Sequence, residues 1–217
     1  MSKKTLYGQT QNRVVTLQTG TRVAGRTYTP EQGIVLKRLS KLSDSELKQE
    51  AKNTTDYHWA LKDSIYWPVR RVVARRTTRY HEQFKDDDAW PIRAVVAKAS
   101  TKYHDVLVKD RRWEVRRAVA KISTKYHDIL KDDAAWAVRR AVADASPMYH
   151  EQLKDDEDLE VRAAVAKAST MYHEQLKDDE CWLVREAVAR ASDKYHEQLG
   201  NDAHWRVREA VQNYKEA

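Results

Sequence analysis

The chain has 217 residues and a formal net charge of +7, and it combines 41% apolar with 34% charged residues. Five glycines and one phenylalanine are few for a single compact core, so the composition favours a thin, elongated core. The one cysteine, Cys181, excludes an internal disulfide framework and a cysteine-based metal site. Since no stretch has the length and apolarity of a membrane span or a signal peptide, we expect a soluble, intracellular (cytoplasmic) protein.

The positive charge is concentrated in the N-terminal third of the chain. Residues 1–79 contain 16 Lys and Arg against 6 Asp and Glu, whereas residues 80–217 contain 24 against 27. A negatively charged partner is therefore expected to be attracted first to the N-terminal third.

The first predicted region, residues 1–29, differs in kind from the rest. Val14–Leu17 and the pair Thr27 and Tyr28 favour strand, while Gly20 and Gly25 favour turns. We predict an extended or β-hairpin-like N-terminal arm over residues 1–29.

Residues 30–53 are predicted to form N-terminal helices. Pro30 is well placed in the first turn of a helix that runs to about Leu42. Ser43 and Glu46 have the spacing of a capping box, which predicts a second helix directly afterwards. This second helix belongs to a degenerate copy of the unit that follows, as expected for a terminal capping repeat.

From residue 54 to 217, a 23-residue unit occurs seven times without an insertion. A Tyr-His pair marks each copy, with the tyrosines at Tyr57, Tyr80, Tyr103, Tyr126, Tyr149, Tyr172 and Tyr195. A second column holds Trp67, Trp90, Trp113, Trp136, Leu159, Trp182 and Trp205. Three residues later stand Arg70, Arg93, Arg116, Arg139, Arg162, Arg185 and Arg208.

Each unit reads as a pair of helices. Ile92, Val95, Val96 and Ala99 have the spacing of one helical face, which predicts a helix over residues 89–99 after an Asp-rich turn. Ser100 and its equivalents are predicted N-caps of a second helix of about eight residues. The predicted fold is all-α, an α-α superhelical solenoid of about seven helix-pair repeats with a short non-repetitive N-terminal extension.

The unit resembles the leucine-rich repeat variant family, a relative of the HEAT repeats. The likeness lies in the Val-Arg-x-x-Val-Ala helix, the Asp-rich turn and the late Leu, over residues 54–212, although the unit is one residue shorter and adds the Trp and Tyr-His columns. The resemblance implies alternating longer and short helices. The founding member of that family carries an iron–sulfur cluster near its N-terminus, but this N-terminal segment has no cysteine, so we expect no cofactor.

Three invariant columns are interpreted as structural. Stacked His residues are too far apart to share a metal ion, so no metal site is expected. The Arg column and the Asp column favour a ladder between repeats over a ligand-binding row, and the Trp column favours packing over stacking platforms. The residues assigned to these structural ladders are Arg93, Arg116, Arg139, Arg162, Trp90, Trp113, Trp136, His104 and His127.

The columns that vary between copies are the better candidates for binding. In the early repeats, the positions four, eight and twelve residues after the Trp column carry cations and no acid. This predicted basic stripe contains Arg71, Arg75, Arg79, Lys98, Lys102, Arg117, Lys121, Lys125 and Arg140. A solvated charged surface is the simplest interpretation, and an anionic partner is the alternative.

The sequence contains no catalytic motif, so we expect no enzyme activity and no catalytic residues; a site formed only together with another chain stays open.

The leading hypothesis is a non-catalytic scaffold for protein binding or assembly, through the N-terminal arm and one solenoid face, with a protein partner or a second copy. The alternative is sequence-independent binding of a nucleic-acid backbone by the basic repeats, as the similarity to HEAT-like DNA-binding solenoids implies. No membrane partner is expected.

Overall fold

The structure, a computed structural model, describes residues 29–215 and four short strands before them. In the N-terminal segment, β1 (Thr5–Leu6) pairs antiparallel with β2 (Gln9–Thr10), and β3 (Arg22–Val23) pairs likewise with β4 (Arg26–Thr27). The other residues of the predicted arm, up to residue 28, lie outside the described residues, so the arm as a whole stays a prediction.

The chain divides into two compact units, Met1–Tyr103 and His104–Ala217. The first unit contains the helices α1 (Pro30–Leu39), α2 (Asp44–Asn53), α3 (His58–Leu61), α4 (Trp67–Arg76), α5 (His81–Phe84) and α6 (Trp90–Ala99). In the second unit, the long helices are α8 (Trp113–Ile122), α10 (Trp136–Ala145), α12 (Leu159–Ala168), α14 (Trp182–Ala191) and α16 (Trp205–Lys215). Its short helices are α7 (His104–Leu107), α9 (His127–Leu130), α11 (His150–Leu153), α13 (His173–Leu176) and α15 (His196–Leu199). From α2 onward, long and short helices alternate regularly in each unit, as the repeat predicts.

Long helices pack side by side, and the short helices α3, α9, α11, α13 and α15 each contact the long helices before and after them. In the first unit α4 contacts α2 and α6, and in the second unit α8, α10, α12, α14 and α16 contact one another in chain order. The side chains at the centre of these contacts are small and apolar. Val138 and Val142 of α10, for example, are fully buried. Each such side chain stabilises the fold by about 1.5–3 kcal/mol relative to its exposure in water.

Reciprocal side-chain caps begin α1 and α2, and the one at Ser43 is as the sequence predicts. At α1, the Thr29 hydroxyl accepts from the Gln32 N–H while the Gln32 side chain accepts from the Thr29 N–H. Ser43 and Glu46 form the same reciprocal pair at α2. The predicted end of α1 at Leu42 is wrong by three residues, because the Ser40 hydroxyl donates to the Lys37 carbonyl and the chain leaves the helix there.

The second helix of each repeat is shorter than the eight residues expected. It has four α-helical residues, preceded in four repeats by a three-residue 3-10 turn, as in Thr101–Tyr103 before His104–Leu107. The Ser that precedes this turn is extended, and at Ser169 its hydroxyl accepts from the Met171 N–H only two residues on. The 3-10 turn does not depend on this bond, because Thr124–Tyr126 and Pro147–Tyr149 form it without one.

The longest helix of the described residues, α16, has 11 residues. No helix there meets the length and apolarity that crossing a bilayer requires, which is about 20 residues.

Candidate binding face of the long helices

The Arg and Asp columns are joined across neighbouring repeats. Arg116 donates from Nε and Nη2 to the two carboxylate oxygens of Asp133, at 2.5 and 2.7 Å. The same paired bonds join Arg139 to Asp156, Arg162 to Asp179 and Arg185 to Asp202 in the second unit, and Arg70 to Asp87 in the first. Each Arg also donates from Nη1 to a turn carbonyl, as Arg93 does to Asp87 at 2.6 Å.

The guanidinium and carboxylate groups of this Arg–Asp ladder hydrogen-bond to one another and to the backbone. The Asp133 carboxylate accepts a third bond from the Ala135 N–H, at 2.9 Å, and its side chain is 7% exposed. The hydrogen bond from Arg185 holds the pKa of Asp202 below its usual range, while Asp133 holds the pKa of Arg116 above its own. Since every rung is satisfied internally, the ladder builds the fold and offers little to a ligand.

The His column connects the two helices of a repeat. Six of these buried imidazoles donate from Nε2 to an Ala carbonyl near the end of the preceding long helix, as His127 does to Ala120 at 2.7 Å and His173 to Ala166 at 2.7 Å. Among the histidines whose Nε2 bond is described, only His127 has a described hydrogen bond at Nδ1 as well. It accepts this bond from the Ser146 hydroxyl at 2.7 Å. His104 is fully buried and meets the edge of the Tyr126 ring. Within the described part of the chain, no three His, Cys, Asp or Glu side chains are grouped so as to hold a metal ion.

The Trp column lies at the first turn of the long helices and is half exposed. Trp113 is 38% and Trp136 43% exposed, while Trp90 is partly buried. These indoles are therefore neither fully buried nor fully exposed.

Opposite the buried stripe, the long helices present an outward face made by the positions one, four and eight residues after the Trp column. At about 100° per residue these positions lie within one third of the helix circumference. In the first unit this face carries Arg71 and Arg75 on α4 and Lys98 on α6, all exposed and without an ion pair among the described residues. Neither α4 nor α6 contains an acidic residue.

Two further cations extend the outward face, and the sequence analysis missed them. Lys48 and Lys52 of α2 are exposed and precede Arg71 and Arg75 by one unit length of 23 residues. Because α2 packs on α4, their columns continue onto the capping repeat. Subtracting the unit length from Arg71 and Arg75 would have found them.

In the second unit the outward face changes from cationic to charge-balanced. Arg117 and Lys121 of α8 have no ion pair among the described residues. Arg140 of α10, by contrast, lies 2.6 Å from Glu160 and 4.0 Å from Asp144. On α14, Arg190 lies 2.7 Å from Glu186.

The twelfth-position members of the predicted stripe are on the turns, away from the long helices. Lys102 and Lys125 each stack over the following tyrosine ring, with the ammonium 5.1 Å from the centroid. Arg79 lies 5.7 Å over the Tyr80 ring, and Lys102 is also 3.6 Å from Glu82. Their charges are therefore partly used in local contacts, unlike those on the outward face.

A pocket of about 500 Å³ opens on the outward face of the second unit, between α10, α12 and α14. Alanines and Leu183 form its floor, and charged residues of the three helices surround it. Ala163 and Ala164, in this floor, are 8% and 5% exposed. The sequence indicates this pocket only through Ala163, a small residue in the column that holds Arg117, Arg140 and Glu186 in nearby copies.

Comparison with known proteins supports the fold. No protein-family model matches the chain, and no curated protein matches it. A solved structure described as "a leucine-rich repeat variant with a novel repetitive protein structural motif" is similar, with a TM-score of 0.65 and 23% identity over 79% of this chain and 76% of that one. The chain is thus a repeating all-α solenoid with the fold of a leucine-rich repeat variant, and at this identity the likeness concerns the fold alone.

Proposed function

We propose that the protein is a scaffold that binds an acidic segment of a protein partner on the outward face of its first unit. The observation that carries this proposal is the set of five exposed cations on three neighbouring long helices: Lys48, Lys52, Arg71, Arg75 and Lys98. Like charges gathered on one surface repel one another, and an anionic partner relieves that repulsion. The N-terminal arm adds five Lys and Arg and no acid within residues 1–28, so it attracts the same partner.

A double charge reversal tests this proposal on the full chain. The probe is a fluorescein-labelled peptide of alternating Glu and Gly, and fluorescence anisotropy at low salt gives its dissociation constant. In the proposed mode, Arg71→Glu combined with Arg75→Glu weakens binding by about tenfold or more, since two attractive contacts become repulsive.

Lys37→Glu with Lys41→Glu is the matched control. Both residues are exposed, belong to the first unit and have no ion pair among the described residues, but they lie on α1 and in the turn after it. Equal weakening in the two double variants would mean that only net charge matters and would refute a defined face.

Nucleic-acid binding is the second candidate, because aromatic rings border the same cations. Trp67 is 39% exposed and precedes Arg71 by one helical turn, so the indole and the guanidinium are neighbours on α4. Bases stack on such rings while cations contact phosphates. If oligo(dT) binds with a steep loss of affinity between about 50 and 200 mM salt and the acidic peptide does not bind, nucleic acid replaces the acidic protein segment as the partner.

A further inference from the structure

On the outward face, the groove between α12 and α14 is open, whereas an ion pair spans the neighbouring groove between α10 and α12. Between α10 and α12, Arg140 reaches across to Glu160 of the next repeat, at 2.6 Å. The equivalent positions between α12 and α14 are Ala163 and Leu183, which have no polar side-chain atoms. An ion pair is thus replaced by an apolar wall, and the pocket of about 500 Å³ lies there.

The charges around this pocket are paired with one exception. Arg140 pairs with Glu160, and Arg190 pairs with Glu186. Lys167, which also lines the pocket, has no ion pair among the described residues. It stands one helical turn beyond Ala163 on α12, about 6 Å along the helix axis.

We propose that this pocket binds a peptide segment in which a bulky apolar side chain stands beside a carboxylate. The apolar side chain occupies the space over Ala163 that Arg140 and Glu186 fill in the two neighbouring copies. The carboxylate meets the ammonium of Lys167. The apolar floor supplies affinity, and the single unpaired cation supplies the preference for an acid.

This site is independent of the binding proposed for the first unit. Its residues all belong to the second unit, and its expected ligand has one charge and an apolar group, whereas the acidic segment has many charges. Failure of the Glu-Gly peptide to bind would therefore leave the pocket standing, and an empty pocket would leave the basic face standing.

The smallest probe with both features is N-acetyl-L-phenylalanine, and its uncharged partner is N-acetyl-L-phenylalanine amide. Titration of the full chain is followed by amide chemical shifts in ¹⁵N-labelled protein. We expect the acid to shift the amides of Ala163, Ala164 and Ala187, with a dissociation constant on the order of 1 mM for a ligand of this size. We expect the neutral amide to bind several-fold more weakly. Absence of these shifts, or equal binding of acid and amide, overturns the proposal.

Substitutions at Ala163 and Lys167 test which residue binds the apolar group of the ligand and which binds its carboxylate. Ala163→Arg places the side chain of neighbouring copies in the pocket and is expected to abolish binding, while Lys167→Gln is expected to make acid and amide bind equally. Ala94→Arg makes the same change at the same column of the first unit and is expected to change nothing. If Ala163→Arg fails to fold by circular dichroism, Leu183→Glu provides the same test at the opposite, partly exposed wall. Binding that survives the folded variant at either wall refutes the pocket as the site.

Discussion

At the scale of single residues, the aspartate of the Arg–Asp ladder accepts three hydrogen bonds with one carboxylate. Asp133 accepts two bonds from Arg116 and one from the Ala135 N–H, so one carboxylate ties together two repeats and the start of a helix. The next residue on its N-terminal side, Asp132, is 61% exposed and only meets Lys131 and Gln152. Adjacent aspartates therefore differ sharply in what they stabilise.

We expect Asp133→Ala to lower the free energy of unfolding by about 2–4 kcal/mol, because it leaves a half-buried guanidinium without its partner. Asp132→Ala is the control and is expected to cost less than about 1 kcal/mol, as exposed ion pairs do. Urea denaturation followed by circular dichroism measures both. Equal costs for the two variants would contradict the role assigned to the ladder.

At the scale of elements, the short helices depend on their histidines. A four-residue helix such as α13 has no stability of its own. Its attachment comes from a buried leucine and from the His bond to the preceding long helix, as with Leu176 and His173. The Nδ1 atom of His173 is buried without a hydrogen-bond partner, whereas that of His127 accepts from Ser146.

This difference predicts unequal costs for one substitution in two repeats. His127→Phe and His173→Phe both leave an alanine carbonyl without its donor, but only His127→Phe also deprives the buried Ser146 hydroxyl of its acceptor. We expect His127→Phe to be the more destabilising of the two by about 1 kcal/mol, measured by urea denaturation. Equal losses would show that the Ser146 bond contributes nothing.

The helices were predictable because each depends on a local pattern. The apolar spacing around Val96, Pro30 in the first turn of α1 and the capping pair at Ser43 act within one or two turns. The outcome at Arg140 and at Ala163 depends instead on the residue that faces each across the groove from the next repeat, Glu160 in one case and Leu183 in the other. Sequence columns show which residues are equivalent, but not which columns meet between helices, so the ion pair and the pocket required the structure.

At the scale of the whole molecule, carboxylates with a lowered pKa are spread along the chain. The hydrogen bond from Arg185 lowers the pKa of Asp202, that from Lys154 lowers the pKa of Asp155, and that from the Tyr195 hydroxyl lowers the pKa of Glu174. In the first unit, backbone hydrogen bonding at the start of α1 lowers the pKa of Glu31. A lowered folded-state pKa stabilises the fold above the unfolded value, about 4, and this stabilisation is lost as the pH falls through the folded value.

We therefore expect the urea midpoint to fall steadily between about pH 4 and pH 2. Asp202→Asn is expected to start from a lower midpoint at neutral pH and to lose less on acidification, because it has one carboxylate fewer to protonate. Circular dichroism at a series of pH values measures both proteins. Parallel curves, with a constant difference down to pH 2, would contradict the contribution of Asp202.

Each rung of the ladder joins residues 17 positions apart, within a unit of 23 residues. Removing or duplicating a full 23-residue block in the second unit leaves each ladder arginine with an aspartate 17 residues later. Inserting one residue into an Asp-rich turn, by contrast, moves one carboxylate away from its guanidinium. Duplication or deletion of whole copies therefore preserves the ladder while it changes the length of the protein, whereas a one-residue insertion or deletion in a turn breaks a rung.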